Sequence, residues 1–509
     1  VKPTDSASVV NGRAVPVAAI PVLDWSAFER ALIEGVAARQ RVAAYFGSPA
    51  GEGAVIELYA VLADDAQARL RVLRTRVEGE RFPSLTPRCP QVQLFEREIA
   101  EQYGLKPEGH PWLKPVRFHS SYRAGHDAWG RGSAEHPRVG VTDFYRVEGE
   151  EIHEVAVGPV HAGVIEPGHF RFQCHGENIF HLEISLGYQH RGLEPLLIGG
   201  PDKKTIHYME TVAGDTSIGH AAAWCQVTEA LAGCQKPARA QSLRGIALEL
   251  ERLANHVGDL GALAGDVGFL PTMSFCGRLR GDFLNMTALL CGSRFGRGMM
   301  RPGGVGFDAD SARLDEMLKR IDAAEKDTRS AVDLLWETPS VMARFEETGR
   351  VSRETSEELG LVGPAARACG IASDTRHDQP WGIFRFSQIP VSTWHTGDVF
   401  ARAYVRWLEI QRSIAFVREQ LQAMPGGPVR AVVGEPAPER LAVSLVEGWR
   451  GQICHVAITD ARGRLARYKI VDPSFHNWMG LALALRNQQI SDFPLCNKSF
   501  NLSYCGHDL

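Results

Sequence analysis

Residues 237–263 read PARAQSLRGIALELERLANHVGDLGAL. Leu243, Ile246, Leu250, Leu253, Val257 and Leu260 recur there at three-and-four spacing, the apolar stripe of a long amphipathic helix. Such a stripe needs facing partners. Leu314, Met317, Leu318, Ile321, Val332 and Leu335 mark a second long helix, and residues 397–424 a third. Together they predict a helical bundle. Downstream, residues 441–446 and 454–459 alternate apolar and polar positions. Ala461-Arg462-Gly463 then supplies a turn before residues 468–471. This pattern predicts a small antiparallel sheet attached to the bundle. Upstream, the strand-like stretch 151–157 opens the same part of the chain.

The first part reads differently. Residues 1 to about 20 form a loose lead-in. Asp24 or Ser26 caps a helix through Phe28, Leu32, Ile33 and Val36. Strand-like stretches follow at 55–62 and 70–77, then a helix at 92–103 that ends at Gly104. The expected fold class is therefore α+β. A small α+β domain spans residues 1–118, and residues 119–150, rich in Gly, His, Arg and Ser, form a linker. A mainly helical bundle with small antiparallel sheets spans 151–509.

Composition narrows the function. The 509 residues carry 56 Lys plus Arg against 60 Asp plus Glu, so the net charge of -4 excludes a generally basic nucleic-acid binder. No window offers the ~18 consecutive apolar residues of a membrane span. The opening residues lack the basic-then-apolar order of a signal peptide, which reads as a cytoplasmic chain. No two of the ten cysteines stand in C-x-x-C spacing, so reduced thiols and no iron–sulfur cluster of its own are expected. Neither a phosphate-binding G-x-x-x-x-G-K-[ST] loop nor a G-x-G-x-x-G after a strand is present.

Two constellations carry groups able to handle protons. The first gathers His161, His169, Arg171, His175 and Glu177 in a short strand-like stretch, either as a polar hairpin face or as a ligand-facing set. The second is Gly187-Tyr188-Gln189-His190-Arg191-Gly192-Leu193-Glu194. There Glu194 either pairs with Arg191 or is a buried carboxyl with a raised pKa, a proton-transfer station.

The order of several short motifs carries a resemblance. Leu94-Phe95-Glu96-Arg97-Glu98-Ile99, then Tyr103-Gly104 and Gly109-His110-Pro111, resembles the signature of the 30 kDa-type subunit of respiratory complex I. Residues 151–509 resemble its 49 kDa-type subunit and the large subunit of membrane-bound NiFe hydrogenases. This rests on His190-Arg191-Gly192 with Glu194, Glu251-Arg252 with His256 and Arg301-Pro302-Gly303-Gly304-Val305. It rests also on Gly363-Pro364 with Ala368-Cys369-Gly370, and on Gly397-Asp398 with Arg402 and Arg406. The chain thus resembles a fusion of the two subunits, a component of NADH dehydrogenase-like electron transport.

The resemblance implies a helical bundle carrying a substrate cavity, with a small iron–sulfur subunit packed against it. Hydrogenases of the family hold nickel and iron with four thiolates. Here the first pair of positions falls on Ala213 and Thr216, and the second reads as Cys496 and Ser499. The sequence is thus similar to hydrogenase-related members that lack the nickel ligands. A mononuclear site of Cys496, Cys505 and His507 stays open beside a reading as packed thiols. In the complex I branch, a His and a Tyr hold the quinone headgroup. Those positions fall near Pro167, flanked by His161 and His169, and near Ile218, while Asp266 matches the Asp that supports the His.

The resulting expectation is an oxidoreductase subunit on the cytoplasmic side of the cell membrane. It binds no cofactor alone, works with the iron–sulfur subunit and membrane-arm subunits, and has quinone as its candidate ligand. Glu194, His161, His169, Asp215, His220 and Asp266 are expected to handle protons around one pocket, with His190 and Arg191 at the cofactor. The alternatives are an active NiFe hydrogenase and a non-catalytic scaffold for conformational coupling.

Overall fold

The computed structural model describes residues 5–50, 55–132, 137–161 and 165–509. Asp24 starts the first helix, Trp25–Ala37, by accepting the Ala27 amide at 2.8 Å. The helix lies on an antiparallel sheet in the order Ala7–Val9, Arg69–Glu78, Val55–Asp64 and Arg41–Ala50. Val22–Leu23 joins it parallel to Arg69–Glu78. The helix Gln93–Tyr103 packs on Arg41–Ala50. Gly104 stops it with φ 65°, a left-handed conformation that costs glycine little.

The second part opens with the three-stranded antiparallel sheet Ile152–Val157, His169–His175 and Asn178–Ser185. The stripe of 237–263 becomes the helix Ala238–Asp266, which packs on Leu270–Cys291 and Val399–Gln422. Ser311–Trp336 closes the bundle against the last two. The fold is α+β. Among the described residues no helix is long and apolar enough to cross a membrane. Residues 119–150, where described, contain no helix or strand.

The terminal sheet departs from expectation. Its strands Arg440–Gly448, Gly451–Thr459 and Leu465–Val471 are antiparallel, and a fourth, Arg13–Pro16, pairs with the first. The opening residues are therefore not a loose lead-in where described. Ala7–Val9 and Arg13–Pro16 each complete a sheet. The terminal sheet is also not merely attached to the bundle. Its Leu441, Val443, Leu445, Cys454 and Val456 join the core of the N-terminal sheet, while Ala442, Val446, Ile453 and Ala457 join the bundle core. Successive residues of a strand point to opposite faces, so one sheet feeds two cores.

Candidate functional site

The site lies where the loop 213–216 enters the helix Ser217–Leu231, beside the terminal sheet and the chain's last turn. The first amides of that helix lack partners within it. Glu251, on the Ala238–Asp266 helix, accepts two of them, from Ile218 at 2.7 Å and Gly219 at 3.1 Å. Burial pushes the Glu251 carboxyl up to about 8, although both amide bonds and Arg252 pull it down. Next to it, Asp215 pairs with Arg450 through both oxygens, at 2.6 and 2.7 Å. Burial raises the Asp215 carboxyl, but Arg450 outweighs burial and holds it below the usual carboxylate range. Arg450 also lies over the Trp449 ring at 3.9 Å, and Trp449 Nε1 donates to the Asp215 carbonyl.

Behind this pair runs a chain of buried hydrogen bonds. Asp472 Oδ2 meets His220 Nε2 at 3.0 Å, His220 Nδ1 meets His455 Nε2 at 3.0 Å, and His455 Nδ1 meets the Tyr468 hydroxyl at 2.8 Å. All four residues are at most 1% exposed. Burial, then the neighbouring His220, push His455 well below the usual imidazole range, so it is neutral. Burial raises Asp472, but the bond from His220 and the charge of Arg450 outweigh it and keep the carboxylate ionised. His220 Nε2 donates to the Asp472 carboxylate, so in one arrangement Tyr468 donates to His455 and His455 to His220. In the other, His220 donates to His455 and His455 to the Tyr468 oxygen, while the bond to Asp472 keeps its direction. The chain therefore has two proton arrangements without any heavy-atom movement.

The six residues expected around one pocket do not share one. Asp215 and His220 meet here, on either side of Thr216, whose hydroxyl bonds Asp215 and whose carbonyl accepts the His220 amide. His161 and His169 lie at the three-stranded sheet: His161 Nε2 meets the Gly168 carbonyl and His169 Nδ1 the Gly158 carbonyl, both at 3.1 Å. Asp266 is exposed at the end of its helix.

Glu194 is buried, but not as a group with a raised pKa. It pairs with Arg467 at 2.8 Å and accepts from Lys469 at 3.0 Å, the Ile470 amide at 3.0 Å and Gln102 at 3.2 Å. Lys469 also grips Glu98 at 2.6 Å, and Glu98 pairs with Arg117. Burial raises the Glu194 carboxyl, yet Arg467, Lys469 and Arg117 hold it far below the usual range. Nor is it paired with Arg191, whose guanidinium donates to the carbonyls of Thr211, Val212 and Cys505. His190 Nδ1 meets the Asp508 carbonyl at 2.7 Å, and its ring stacks on His119 with centroids 4.7 Å apart.

The thiolate positions also move. Cys496 and Ser499 sit away from Ala213, at Arg402, whose Nε donates to Ser499 Oγ at 2.8 Å. The segment that faces the 213–216 loop is instead the last turn. One Arg191 nitrogen donates to both Val212 and Cys505 carbonyls, at 3.0 and 2.8 Å. Ala213 has no donor atom, and Thr216 Oγ1 is spent on Asp215. Cys505 is the one thiol in that turn, and burial raises it to about 11. These residues do not fit a thiolate-held nickel–iron centre. Nor do Cys496, Cys505 and His507 converge: among the described residues no group of three or more His, Cys, Asp or Glu could hold a metal ion.

Sequence reading misses Arg450, His455, Tyr468 and Asp472 and uses Glu251 only as a family marker. Two signals are present. Asp472-Pro473 is a helix start, and Asp472 caps Pro473–Ala484 through the Ser474 amide at 2.8 Å. His455 interrupts the run Ile453-Cys454-His455-Val456-Ala457-Ile458 of an otherwise apolar stretch of its strand.

Comparison with known proteins agrees with this architecture. Residues 32–128 match the family model of the respiratory-chain NADH dehydrogenase 30 Kd subunit, and 266–438 that of the 49 Kd subunit. Formate hydrogenlyase subunit 5 of Escherichia coli K12 is 30% identical over 450 residues, covering 85% of this chain and 78% of that protein. The carbon monoxide-induced hydrogenase of Rhodospirillum rubrum is 32% identical over 350 residues, 69% of this chain and 97% of that one. An NADH-quinone oxidoreductase subunit of Bdellovibrio bacteriovorus is 26% identical over 370 residues, 71% and 66% of the two chains. This chain belongs to the family of 30 kDa- plus 49 kDa-type oxidoreductase subunits shared by complex I-type NADH dehydrogenases and their hydrogenase relatives.

Proposed function

We propose that this chain is the proton-coupling subunit of a complex I-like, membrane-associated oxidoreductase. It would work beside a small iron–sulfur partner and membrane-arm subunits, on the cytoplasmic face, with a quinone as electron acceptor. The observation that carries the reading is the buried chain Asp472–His220–His455–Tyr468 next to the Asp215–Arg450 pair. An imidazole between a buried carboxylate and a second imidazole can take either of two hydrogen-bond arrangements. Charge arriving nearby would bias the chain toward one of them. Tyr468 closes the far end in the core, and burial lifts its phenol well above the usual range, so it keeps its proton and only turns it. The chain thus switches between two arrangements and does not pass a proton on past Tyr468.

For the quinone, the fit rests on His169. Its Nδ1 is held by the Gly158 carbonyl, while its buried Nε2 has no partner among the described residues. A quinone bound there would supply carbonyl oxygens that accept electrons and protons, and His169 would orient one of them.

The test is turnover of the intact complex carrying His220→Gln, with Tyr468→Phe as a variant that keeps the ring. Both should assemble and lose proton-coupled turnover, Tyr468→Phe partially and with an altered solvent deuterium isotope effect. Wild-type turnover and isotope effect in both variants would refute the proposal.

A further inference from the structure

A cavity of 460 Å³ opens between the two parts of the chain. None of the residues of the candidate functional site lines it. Its walls come from the end of the first helix and the start of strand Arg41–Ala50 on one side, and from residues 353–361 and 371–373 on the other. Gln91 spans the junction at its edge, accepting the Val42 amide at 3.1 Å and donating to the Glu357 carbonyl at 3.0 Å.

The charged groups in the wall are unequally committed. Arg41 is spent, on both oxygens of Asp65 at 2.9 and 3.1 Å and on Gln452 at 2.8 Å. Asp65 is equally occupied, since it also accepts from Ser373 at 3.3 Å. Among the described residues Arg353 uses only Nε, on Glu357 at 2.8 Å, which leaves its other guanidinium donors open there. The Arg39 side chain has no hydrogen-bond or ion-pair partner among the described residues, and its backbone holds φ 65° at the cavity mouth. Ser356 lines the cavity, is 0% exposed and lies beside the Cys369 thiol, and its hydroxyl has no well-aligned hydrogen-bond partner among the described residues. Three guanidiniums against two carboxylates leave the wall one positive charge in excess. Val36, Leu361 and Ile371 supply apolar surface between these groups, and no aromatic ring is present.

We infer that this cavity binds a small oxyanion-bearing molecule with an aliphatic body, a dicarboxylate or a phosphomonoester. The volume is that of a small-molecule site, and the polar groups are few and convergent. Guanidinium forks match carboxylate and phosphate oxygens, and a buried hydroxyl without a well-aligned partner gains one when such an oxygen arrives. The lack of a ring argues against a nucleotide base. Because the walls belong to both parts of the chain, the bound anion would clamp the junction.

The probes are succinate and inorganic phosphate, each titrated into the purified complex at constant ionic strength against sodium chloride. Calorimetry measures binding and hydrogen exchange measures protection of residues 353–361. Binding by succinate alone assigns a dicarboxylate, and by phosphate alone a phosphomonoester; binding by both leaves the shared oxyanion chemistry standing. Arg39→Gln and Arg353→Gln, both at exposed positions, should each weaken binding by about tenfold, the loss of a charge-assisted contact. Ser356→Ala should weaken it less. No binding by either probe above the chloride control overturns the inference. So does binding that Arg39→Gln and Arg353→Gln leave unchanged.

Discussion

Replacing Glu194 by Gln should loosen the chain rather than silence proton transfer. The carboxylate is 2% exposed, pairs with Arg467 and accepts three hydrogen bonds, from Lys469, the Ile470 amide and Gln102. Glutamine keeps one acceptor oxygen and turns an NH2 donor toward the cations. Among the described residues Arg467 then keeps no ion pair, and Glu98 is left to face Lys469 and Arg117. Breaking a buried ion pair from one side costs about 3–5 kcal/mol, because the stranded charge stays out of water. The folded-state pKa of Glu194 is depressed. Its contribution is therefore fully present above the ordinary carboxylate value of about 4.3 and is lost as pH falls through the lower, folded one. The gap between wild type and Glu194→Gln should be wide at neutral pH and close in acid. Denaturant midpoints over a pH series measure it. Limited proteolysis should show the Gln93–Tyr103 helix coming free, since Glu98 and Gln102 anchor it to this network. A variant with the wild-type midpoint at neutral pH but no turnover would refute the reasoning and restore Glu194 as a proton station.

Glu251→Gln should show the opposite pH behaviour. With its folded value raised to about 8, native Glu251 binds more protons than the unfolded chain between about pH 4.3 and 8, so wild-type stability falls as pH rises through that window. The variant does not titrate there and should gain stability relative to wild type across it. A constant difference in midpoint would count against a protonated Glu251. Metal analysis of the purified chain should find no stoichiometric nickel, because Ala213 offers no ligand atom and Thr216 is committed to Asp215. One nickel per chain would overturn that conclusion.

The helices are readable because burial on one side leaves a periodic record. The stripe at 243–260, the cap at Asp24 and the stop at Gly104 each reappear in the structure. Strand Arg41–Ala50 escapes such a reading. It is buried along most of its length, so it shows no apolar–polar alternation. Arg13–Pro16 escapes for another reason: four residues on a sheet edge carry too little pattern, and only the distant strand Arg440–Gly448 makes them a strand. The site is harder still. A sequence displays ionisable residues but not their partners, and partners decide what a buried charge does. Glu194 has Arg191 close in sequence, whereas its cations lie 273 and 275 positions away. His220 finds Asp472 252 positions on, and His455 235 positions on.

One clue is nonetheless present in the helical stripe itself. Arg252 and His256 interrupt the apolar helix four residues apart, on one face. In the structure both are 0% exposed, and both reach Glu409 on the Val399–Gln422 helix, at 3.4 and 2.8 Å. Glu409 also accepts from Arg367, which in turn holds Glu447 on the terminal sheet at 2.8 Å. A leucine stripe tolerates a shift of one turn along its partner at modest cost. A guanidinium and an imidazole that must share one buried carboxylate do not, since a shift strands the charges. The same cluster therefore fixes the register between the two helices and ties the sheet carrying His455 and Tyr468 to the bundle carrying His220.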